Sequence, residues 1–479
     1  MNHEKAPLLQ ESPGTQPVIL PVYAIPDRAE RRAARRRKFF KHLAIFLLIF
    51  TIWKLHTMRF VYWGGRGHGG CGHQPYGYSG LAEWGWPDNG HELEFDGEDF
   101  PWPPELTIDT CAEWPHPPGG EHGRLRHPHG NEGHPRSTVS TFNLPVSSDV
   151  LFLFARGPWS AGRVNILQGD DQSDEVVVNI TTKWYGPRAL LDSVQICKVK
   201  REEGQNGIGI LSVRDRVPPN HHRHHHRVEF TVDVILPASK SADDALVIKD
   251  FRASMPIFTY NLADLAESVR FDSISLRGSV STVVSESLAA SRADFTSHVG
   301  SITGNFSTSS SLKLITDNGH IAANITLSND AKSDEWTELE LKTSNAAIQS
   351  NISLVTTSSD TGGQFRVKST TAAGSTHIDV PSAPSEHTLD MAVHGSLGAI
   401  YVALHETYEG AFSVSTSGLT KATIVEPEEK RKNGRKVEYS EVSRGNVRGV
   451  IWVADGDEKG KERGNVDVSN SLGSTTLRL

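Results

Sequence analysis

Two stretches of this 479-residue chain repeat each other and decide its fold. Residues 312–321 read LKLITDNGHI, and residues 339–348 read LELKTSNAAI. Each is followed by a second apolar segment, NITL at 324–327 and NISL at 351–354. Apolar residues alternate with polar ones in these segments, which is typical of β-strands with one buried face. The sequence therefore predicts pairs of short strands joined by Asn, Ser and Gly turns.

The repeat continues toward the end of the sequence. Weaker copies begin at Phe365, Leu389 and Phe412, which gives predicted offsets of 27, 26, 24 and 23 residues. A period in the twenties built from strands indicates a mainly β protein, as a β-solenoid or another stacked β-sheet domain. We place this domain at residues 257–479.

Alternation within a unit predicts which side chains face solvent. If Ile321 and Ile325 point into the core, then Asn324 points outward, and Asn351 takes the same position one unit later. Both asparagines begin Asn-x-Ser/Thr sequons, the acceptor motif for N-glycosylation. Since neighbouring strands lie about 4.8 Å apart, two glycans at these positions would crowd each other. The sequence holds four glycosylation candidates, namely Asn179, Asn305, Asn324 and Asn351.

Residues 138–256 form a predicted strand-rich entry region. Short alternating segments bounded by Gly, Pro and Asp predict strands there, and Met255–Leu265 is predicted as a short helix. The predicted strands are Val150–Phe154, Arg163–Leu167, Glu175–Thr181, Ile208–Val213 and Val228–Ile235.

The start of the chain predicts a membrane anchor. Residues 43–53 carry no charge and directly follow a cluster of arginines and lysines at 31–41. A membrane-spanning helix needs about 20 residues, so we place it at 39–58 with flanking charges reaching outward. The basic cluster predicts a cytosolic N-terminus and a lumenal or extracellular C-terminus. A cleaved signal peptide and a soluble protein are the alternatives.

Two irregular regions flank the predicted span. Residues 1–38 contain five prolines and little apolar content, which predicts a disordered cytosolic tail. Residues 59–137 are rich in Gly, Pro, His and Trp without a strand or helix period, which predicts a stalk. Of the three cysteines, Cys71 and Cys111 lie in this stalk and are the predicted disulfide, whereas Cys197 is predicted to be a buried strand thiol.

Charge argues against a nucleic-acid partner. The net charge is -8, and residues 1–41 alone carry nine Lys/Arg against four Asp/Glu, so the rest of the chain is net acidic. Phosphate neutralisation needs a basic face, which an acidic domain lacks. The predicted partners are the lipid bilayer, through residues 39–58, and a glycan or protein on the β domain.

The region 148–479 resembles fungal single-pass membrane proteins with an adhesin-like β-solenoid domain of unknown function. The resemblance is carried by the segments FARGPWSAG at 154–162 and CKVKREEGQNGIG at 197–209, and by the units ending in Asn-Gly-x-Ile and Ser-Leu-Gly. It implies a stacked β fold at a surface or lumenal location. The family supplies no catalytic motif, cofactor or metal ligand to carry over.

The sequence thus favours a non-enzymatic, membrane-anchored protein with an adhesin-like β domain. A β-helix carbohydrate-active enzyme is one alternative, and it would need two carboxylates close together in a groove. The candidate acids are scattered at predicted turns, namely Asp317, Asp379, Asp390, Glu406, Asp455 and Asp457. A metal-responsive protein acting through histidine tracts such as His221–His226 is the other alternative.

Overall fold

The computed structural model describes residues 102–114, 135–186, 188–213, 227–239, 244–358, 361–426, 435–453 and 458–479. The prediction of a mainly β protein is confirmed, because these residues form 26 strands and two short 3₁₀ helices, Arg188–Ser193 and Glu458–Glu462. None of them lies in a helix with the length and apolarity needed to cross a bilayer. The predicted span at 39–58 and the predicted tail at 1–38 lie outside the described residues.

The strands are numbered in chain order. They are β1 (Thr107–Cys111), β2 (Arg136–Pro145), β3 (Val150–Arg156), β4 (Ala161–Gln168), β5 (Glu175–Tyr185), β6 (Val194–Lys200), β7 (Gln205–Ser212), β8 (Arg227–Leu236), β9 (Leu246–Ser254), β10 (Ile257–Asp264), β11 (Val269–Val280), β12 (Val283–Val299), β13 (Ile302–Thr316), β14 (Ile321–Asn329), β15 (Thr337–Thr343), β16 (Ile348–Thr356), β17 (Gln364–Ala373), β18 (Thr376–Ser382), β19 (Thr388–Leu397), β20 (Ile400–Ala403), β21 (Gly410–Thr416), β22 (Ala422–Val425), β23 (Arg435–Val442), β24 (Asn446–Val453), β25 (Asn465–Asn470) and β26 (Thr475–Arg478).

Strand pairing arranges these elements in two long ladders. Ladder A has the order β1-β6-β7-β3-β9-β11-β12-β13-β15-β17-β19-β25-β21-β24-β23. Ladder B has the order β2-β5-β8-β4-β10-β12-β13-β14-β16-β18-β20-β26-β22. The central strands of both are parallel, and antiparallel pairs lie toward the ends. The long strands β12 and β13 belong to both ladders, since their first halves pair in B and their second halves in A.

Successive parallel strands repeat the same inward residues. In β14 the buried positions alternate with exposed or half-buried ones, as the period of two requires. Leu312 lies opposite Leu339 in ladder A, and Ile321 lies opposite Ile348 in ladder B. Inward side chains of both ladders form one continuous apolar core. Parallel strands cannot bury this surface alone, so each pair of strands depends on its neighbours for cover.

The turns from ladder A to ladder B stack on one another at what we call the turn corner, residues 300–301, 317–320, 344–347, 374–375, 398–399 and 471–474. A buried hydroxyl at the end of the ladder A strand caps the preceding turn: Thr316 Oγ1 donates to Gly300 O and Thr343 Oγ1 donates to Gly319 O, both at 3.0 Å. A Cβ at Gly319 would lie 1.7 Å from Gly300 O. Only glycine allows the turn backbones to approach so closely.

The register confirms part of the predicted repeat. The 27-residue offset from Leu312 to Leu339 and the 24-residue offset from Phe365 to Leu389 are strand partners. Leu339 lies opposite Val367, not Phe365, because the connection between β15 and β17 holds two more residues than predicted. The predicted step from Leu389 to Phe412 is wrong.

That step fails because β25 is inserted between β19 and β21. Met391 pairs with Val466, which pairs in turn with Phe412. In the same layer of ladder B, β26 lies between β20 and β22. Strands β25 and β26, the last two in the sequence, therefore occupy an interior layer of the stack.

Two further predictions are corrected. Met255–Leu265 is not a helix, since β10 runs from Ile257 to Asp264 between β4 and β12. The disulfide joins Cys111 to Cys197, so the predicted pairing of Cys71 with Cys111 is wrong. The predicted stalk is not irregular throughout, because β1 forms at 107–111 and pairs antiparallel with β6, which places Cys111 directly opposite Cys197.

Candidate interaction surface

Three exposed asparagines lie in one line across ladder B. Asn305 on β13 is the strand partner of Asn324 on β14, and Asn324 is the partner of Asn351 on β16. The alternation that buries Phe306, Ile325 and Ile352 turns these carboxamides to the outer face. We call the three residues the asparagine column. The predicted outward alignment of Asn324 with Asn351 is confirmed.

The carboxamides of the asparagine column are hydrogen bonded in series. Asn351 Nδ2 donates to Asn324 Oδ1 at 2.9 Å, and Asn324 Nδ2 donates to Asn305 Oδ1 at 2.9 Å. Asn305 Nδ2 donates to the backbone oxygen of Glu286 at 2.7 Å. A carboxamide has two N–H donors and an oxygen with two lone pairs, so each side chain keeps capacity for an external partner.

A line of hydroxyls runs beside the asparagine column. Ser307 is the strand partner of Thr326, and Thr326 of Ser353. These three residues, which we call the hydroxyl column, lie two positions after each asparagine and therefore share its face. Both columns line an open groove of about 400 Å³, whose lining also includes Ala266 and Ser287.

The groove is a regular array of hydrogen-bonding groups. Successive members of a column are separated by the strand spacing of about 4.8 Å. Amides and hydroxyls both donate and accept hydrogen bonds, and the asparagine column carries no formal charge. This chemistry suits a polar, uncharged ligand that presents repeating hydroxyl or amide groups.

On β18, the strand that follows β16 in ladder B, the asparagine column is replaced by charged and aromatic side chains. The strand partner of Asn351 on β18 is Asp379, whose Oδ2 lies 2.8 Å from Nε2 of His377. The His377 ring stacks on Tyr401, with 4.6 Å between centroids and 17° between planes. A charged and aromatic patch thus follows the array of neutral amides on the same face.

The glycosylation candidates fall into two groups. Asn305, Asn324 and Asn351 are the asparagine column itself, on adjacent strands. Asn179 lies apart on β5, where Thr141 Oγ1 donates to its Oδ1 at 2.8 Å. Sequon use stays a prediction at all four positions, and a glycan on Asn324 would occupy the groove.

Of the candidate acids, Asp317, Asp379, Asp390 and Glu406 lie in the described part of the chain. None of these four lines the groove, although Asp379 is the strand partner of Asn351. Asp317 accepts the backbone N–H groups of Ser344 and Asn345 through its carbonyl oxygen, and its Oδ2 lies 2.8 Å from His298 Nδ1. Asp390 is on the outer face of ladder A, where it pairs with Arg366 at 3.4 Å. Asp455 and Asp457 lie outside the described residues.

The histidine tract at residues 221–226 lies outside the part of the chain that the structure describes. His221–His226 falls between β7, which pairs with β3 in ladder A, and β8, which pairs with β4 in ladder B. Within the described ranges, no three His, Cys, Asp or Glu side chains are placed to hold a metal ion.

Sequence reasoning missed Asn305 as a member of the column. The signal was present, because Ile-x-(Gly/Ala/Ser)-Asn-(Phe/Ile)-(Ser/Thr) occurs at residues 302–307, 321–326 and 348–353. Asn305 precedes Asn324 by 19 residues, whereas Asn351 follows Asn324 by 27. A search for a period in the twenties passes over the shorter interval.

Comparison with known proteins gives little functional guidance. No curated protein matches the chain. A "putative cell adhesion protein" from Clostridium sporogenes is 7% identical, with a TM-score of 0.15, over 72% of this chain and 99% of the other. A "putative adhesin" from Bacteroides fragilis is 14% identical, with a TM-score of 0.28, over 55% of this chain and 97% of the other. At these scores neither likeness carries an argument about this protein. Residues 326–424 match a family described as a domain of unknown function (DUF7330), which covers less than half of the chain.

Proposed function

We propose that this chain is a non-enzymatic, adhesin-like membrane protein that contacts a glycan through the groove along the asparagine column. Residues 39–58 would anchor it, with the N-terminus in the cytosol and the β domain in the lumen or outside the cell. The two ladders would then act as a β-solenoid that holds the groove rigid. The observation that carries the proposal is the alignment of Asn305, Asn324 and Asn351 in one hydrogen-bonded series.

A glycan fits this surface for a physical reason. Glycan chains present hydroxyl and N-acetyl groups at a regular interval, and the two columns present neutral donors and acceptors at another regular interval. The columns are held by parallel backbones, so little side-chain freedom is lost on binding. A protein that presents a row of polar side chains is the other partner that this surface would accept.

The test must separate the carboxamide from any glycan attached to it. Asn324→Leu removes both the amide and the sequon, whereas Thr326→Val removes the sequon and keeps the amide. Binding of the full chain to an array of immobilised glycans is measured for both variants and for the wild type. We expect Asn324→Leu to lose at least tenfold in affinity. Thr326→Val should lose less, through one hydroxyl only.

Equal loss in both variants would mean that the attached glycan, and not the carboxamide, makes the contact. If both variants bind glycans as well as the wild type does, the groove is not the glycan-binding site. Topology is tested separately, by protease protection of tagged N- and C-termini in sealed membranes combined with glycosidase treatment. In sealed plasma membrane vesicles that enclose the cytosolic face, we expect the N-terminal tag to be protected from protease. The C-terminal half should be accessible to protease and to glycosidase.

A further inference from the structure

Among the described residues, the two ladders end in four edge strands, β1 and β23 in ladder A and β2 and β22 in ladder B. An edge strand presents unpaired backbone N–H and C=O groups, which invite pairing with another chain. Proteins usually blunt such edges with charge, with short length or with a covering segment.

Three of the four edges are blunted. Strand β22 is only 4 residues long, and β1 is 5 residues long and fixed by the Cys111–Cys197 disulfide. Strand β23 is 8 residues long but carries two basic and two acidic side chains, Arg435, Lys436, Glu438 and Glu441. Charges of this density oppose pairing with an arbitrary strand.

Strand β2 has none of these protections along most of its length. It is 10 residues long, residues 137–144 are uncharged, and four of them, Thr138, Val139, Thr141 and Phe142, are of types that favour strands. All ten residues pair with β5 without a bulge, so the strand is regular. Among the described residues, no strand pairs with its other edge. Val139 at its centre is 61% exposed.

We propose that β2 is a homodimer interface, at which it pairs antiparallel with β2 of a second copy about a two-fold axis near Val139. Such an interface is isologous: a residue a given number of positions before Val139 in one copy lies opposite the residue the same number of positions after Val139 in the other. Val139 would lie opposite Val139 of the second copy, and Ser137 opposite Thr141. The one charged residue of β2, Arg136, lies at its start, so the axis keeps the two arginines at opposite ends. Ladder B would run continuously through both copies.

The neighbouring sequon bears on this interface. Asn179 on β5 lies directly opposite Thr141 on β2, so a glycan there would project beside the edge. The interface is therefore tested without this sequon. Thr181→Ala removes the sequon and keeps the hydrogen bond from Thr141 to Asn179.

The experiment uses the full chain in detergent, with Thr181→Ala, and with Cys71→Ser wherever a cysteine is introduced. Val139→Cys should form a disulfide-linked dimer on mild oxidation. The matched control is Val355→Cys, because Val355 is also an exposed strand valine, at 41%, but lies on β16 inside ladder B. It should stay monomeric on a non-reducing gel.

Charge substitution gives the second readout. Val139→Lys places two like charges opposite each other across the axis, which disfavours pairing. We expect the dimer fraction in sedimentation velocity to fall at least tenfold, and Val355→Lys to leave it unchanged. Mixing Val139→Lys with Val139→Glu should restore a heterodimer that neither forms alone.

Several outcomes would overturn the proposal. A monomer at all concentrations without a Val139→Cys crosslink would mean that the edge is free or that another segment of the same chain covers it. A dimer that survives Val139→Lys would place the contact on a different surface. Failure of the Lys and Glu variants to associate, with both folded, would exclude the two-fold axis near Val139.

Discussion

Asn324 on β14 donates its Nδ2 hydrogen bond to Asn305 on β13, and its Oδ1 accepts a bond from Asn351 on β16. The middle residue of the asparagine column therefore depends on both the donor and the acceptor of its carboxamide. A carboxylate of the same shape can only accept.

Asn324→Asp tests this requirement. The carboxylate would face Asn305 Oδ1 without a hydrogen to donate, so we expect a loss of about 1 kcal/mol in the free energy of unfolding at pH 7. The loss should shrink at a pH low enough to protonate the aspartate. Urea unfolding at pH 7 and pH 4, with wild type as reference, gives the measurement. An Asp variant as stable as wild type at pH 7 would show that the series contributes nothing.

The Cys111–Cys197 disulfide holds edge strand β1 on β6. Replacing both cysteines with serine should lower the free energy of unfolding by about 2–5 kcal/mol, because 86 residues separate the two positions. Peptide mapping under non-reducing conditions should recover the Cys111–Cys197 pair. Recovery of a Cys71–Cys111 peptide instead would contradict this pairing.

The inserted layer predicts a strong effect of truncation. A chain ending at Arg463 lacks β25 and β26, so β21 and β22 lose their partners on the side of β19 and β20. We expect limited proteolysis to digest residues 404–463 at least tenfold faster than in wild type. Val468→Asp, at a fully buried position, should act alike, whereas Val442→Asp, at 71% exposure, should not. Unchanged protease resistance on truncation would count against the interior position of β25.

The turn corner predicts a contrast between two buried hydroxyls. Thr343→Val removes the bond to Gly319 O and leaves that carbonyl without its partner, at a cost of about 1–2 kcal/mol in the free energy of unfolding. Thr343→Ser keeps the hydroxyl and should lose less. Ser369 is also buried, but its Oγ has no hydrogen-bond partner, so Ser369→Ala should change stability by less than about 1 kcal/mol. Thermal and urea unfolding of the three variants measure the contrast, and equal losses would refute it.

Burial lowers the pKa of His387 from 6.5 to about 4, although a hydrogen bond to Pro384 O partly opposes the shift. The folded state then binds its proton less readily than the unfolded state. The stabilisation is complete above pH 6.5 and is lost as the pH falls toward 4, by about 3 kcal/mol over that interval.

His387→Asn should be less stable at pH 7 but lose less on acidification than wild type. Its control is His320→Gln, at an exposed position, which should keep the wild-type pH dependence. Urea unfolding between pH 7 and pH 4 measures both. A wild-type slope in His387→Asn would assign the acid sensitivity to other groups.

The strands and their facing were predictable from local alternation. Ile321 and Ile325 are buried and Asn324 is exposed, as a period of two requires, and Asn351 follows the same rule. The column that these residues build was only partly predictable. Asn305 belongs to it through a connection eight residues shorter than the next one, and the length of a connection carries no signal of the register it produces.

The pairings between distant segments could not be predicted. Cys111 meets Cys197 because β1 lies on β6, and nothing local to either segment specifies that contact. Likewise, Val466 has the same alternation whether its strand is terminal or interior. Val466 lies between Met391 and Phe412 because its strand buries its apolar face against both of theirs. That choice of neighbours depends on the whole stack of strands and not on the local sequence.

The position of β25 and β26 also constrains biosynthesis. A ribosome delivers the strands in sequence order, so layers up to β20 can assemble as they emerge. Strands β21–β24 emerge next, but the layer that joins them to β20 has not yet been translated. Until β25 and β26 emerge, β21 and β22 lack their partners on that side, and transiently exposed apolar surface of this kind favours aggregation.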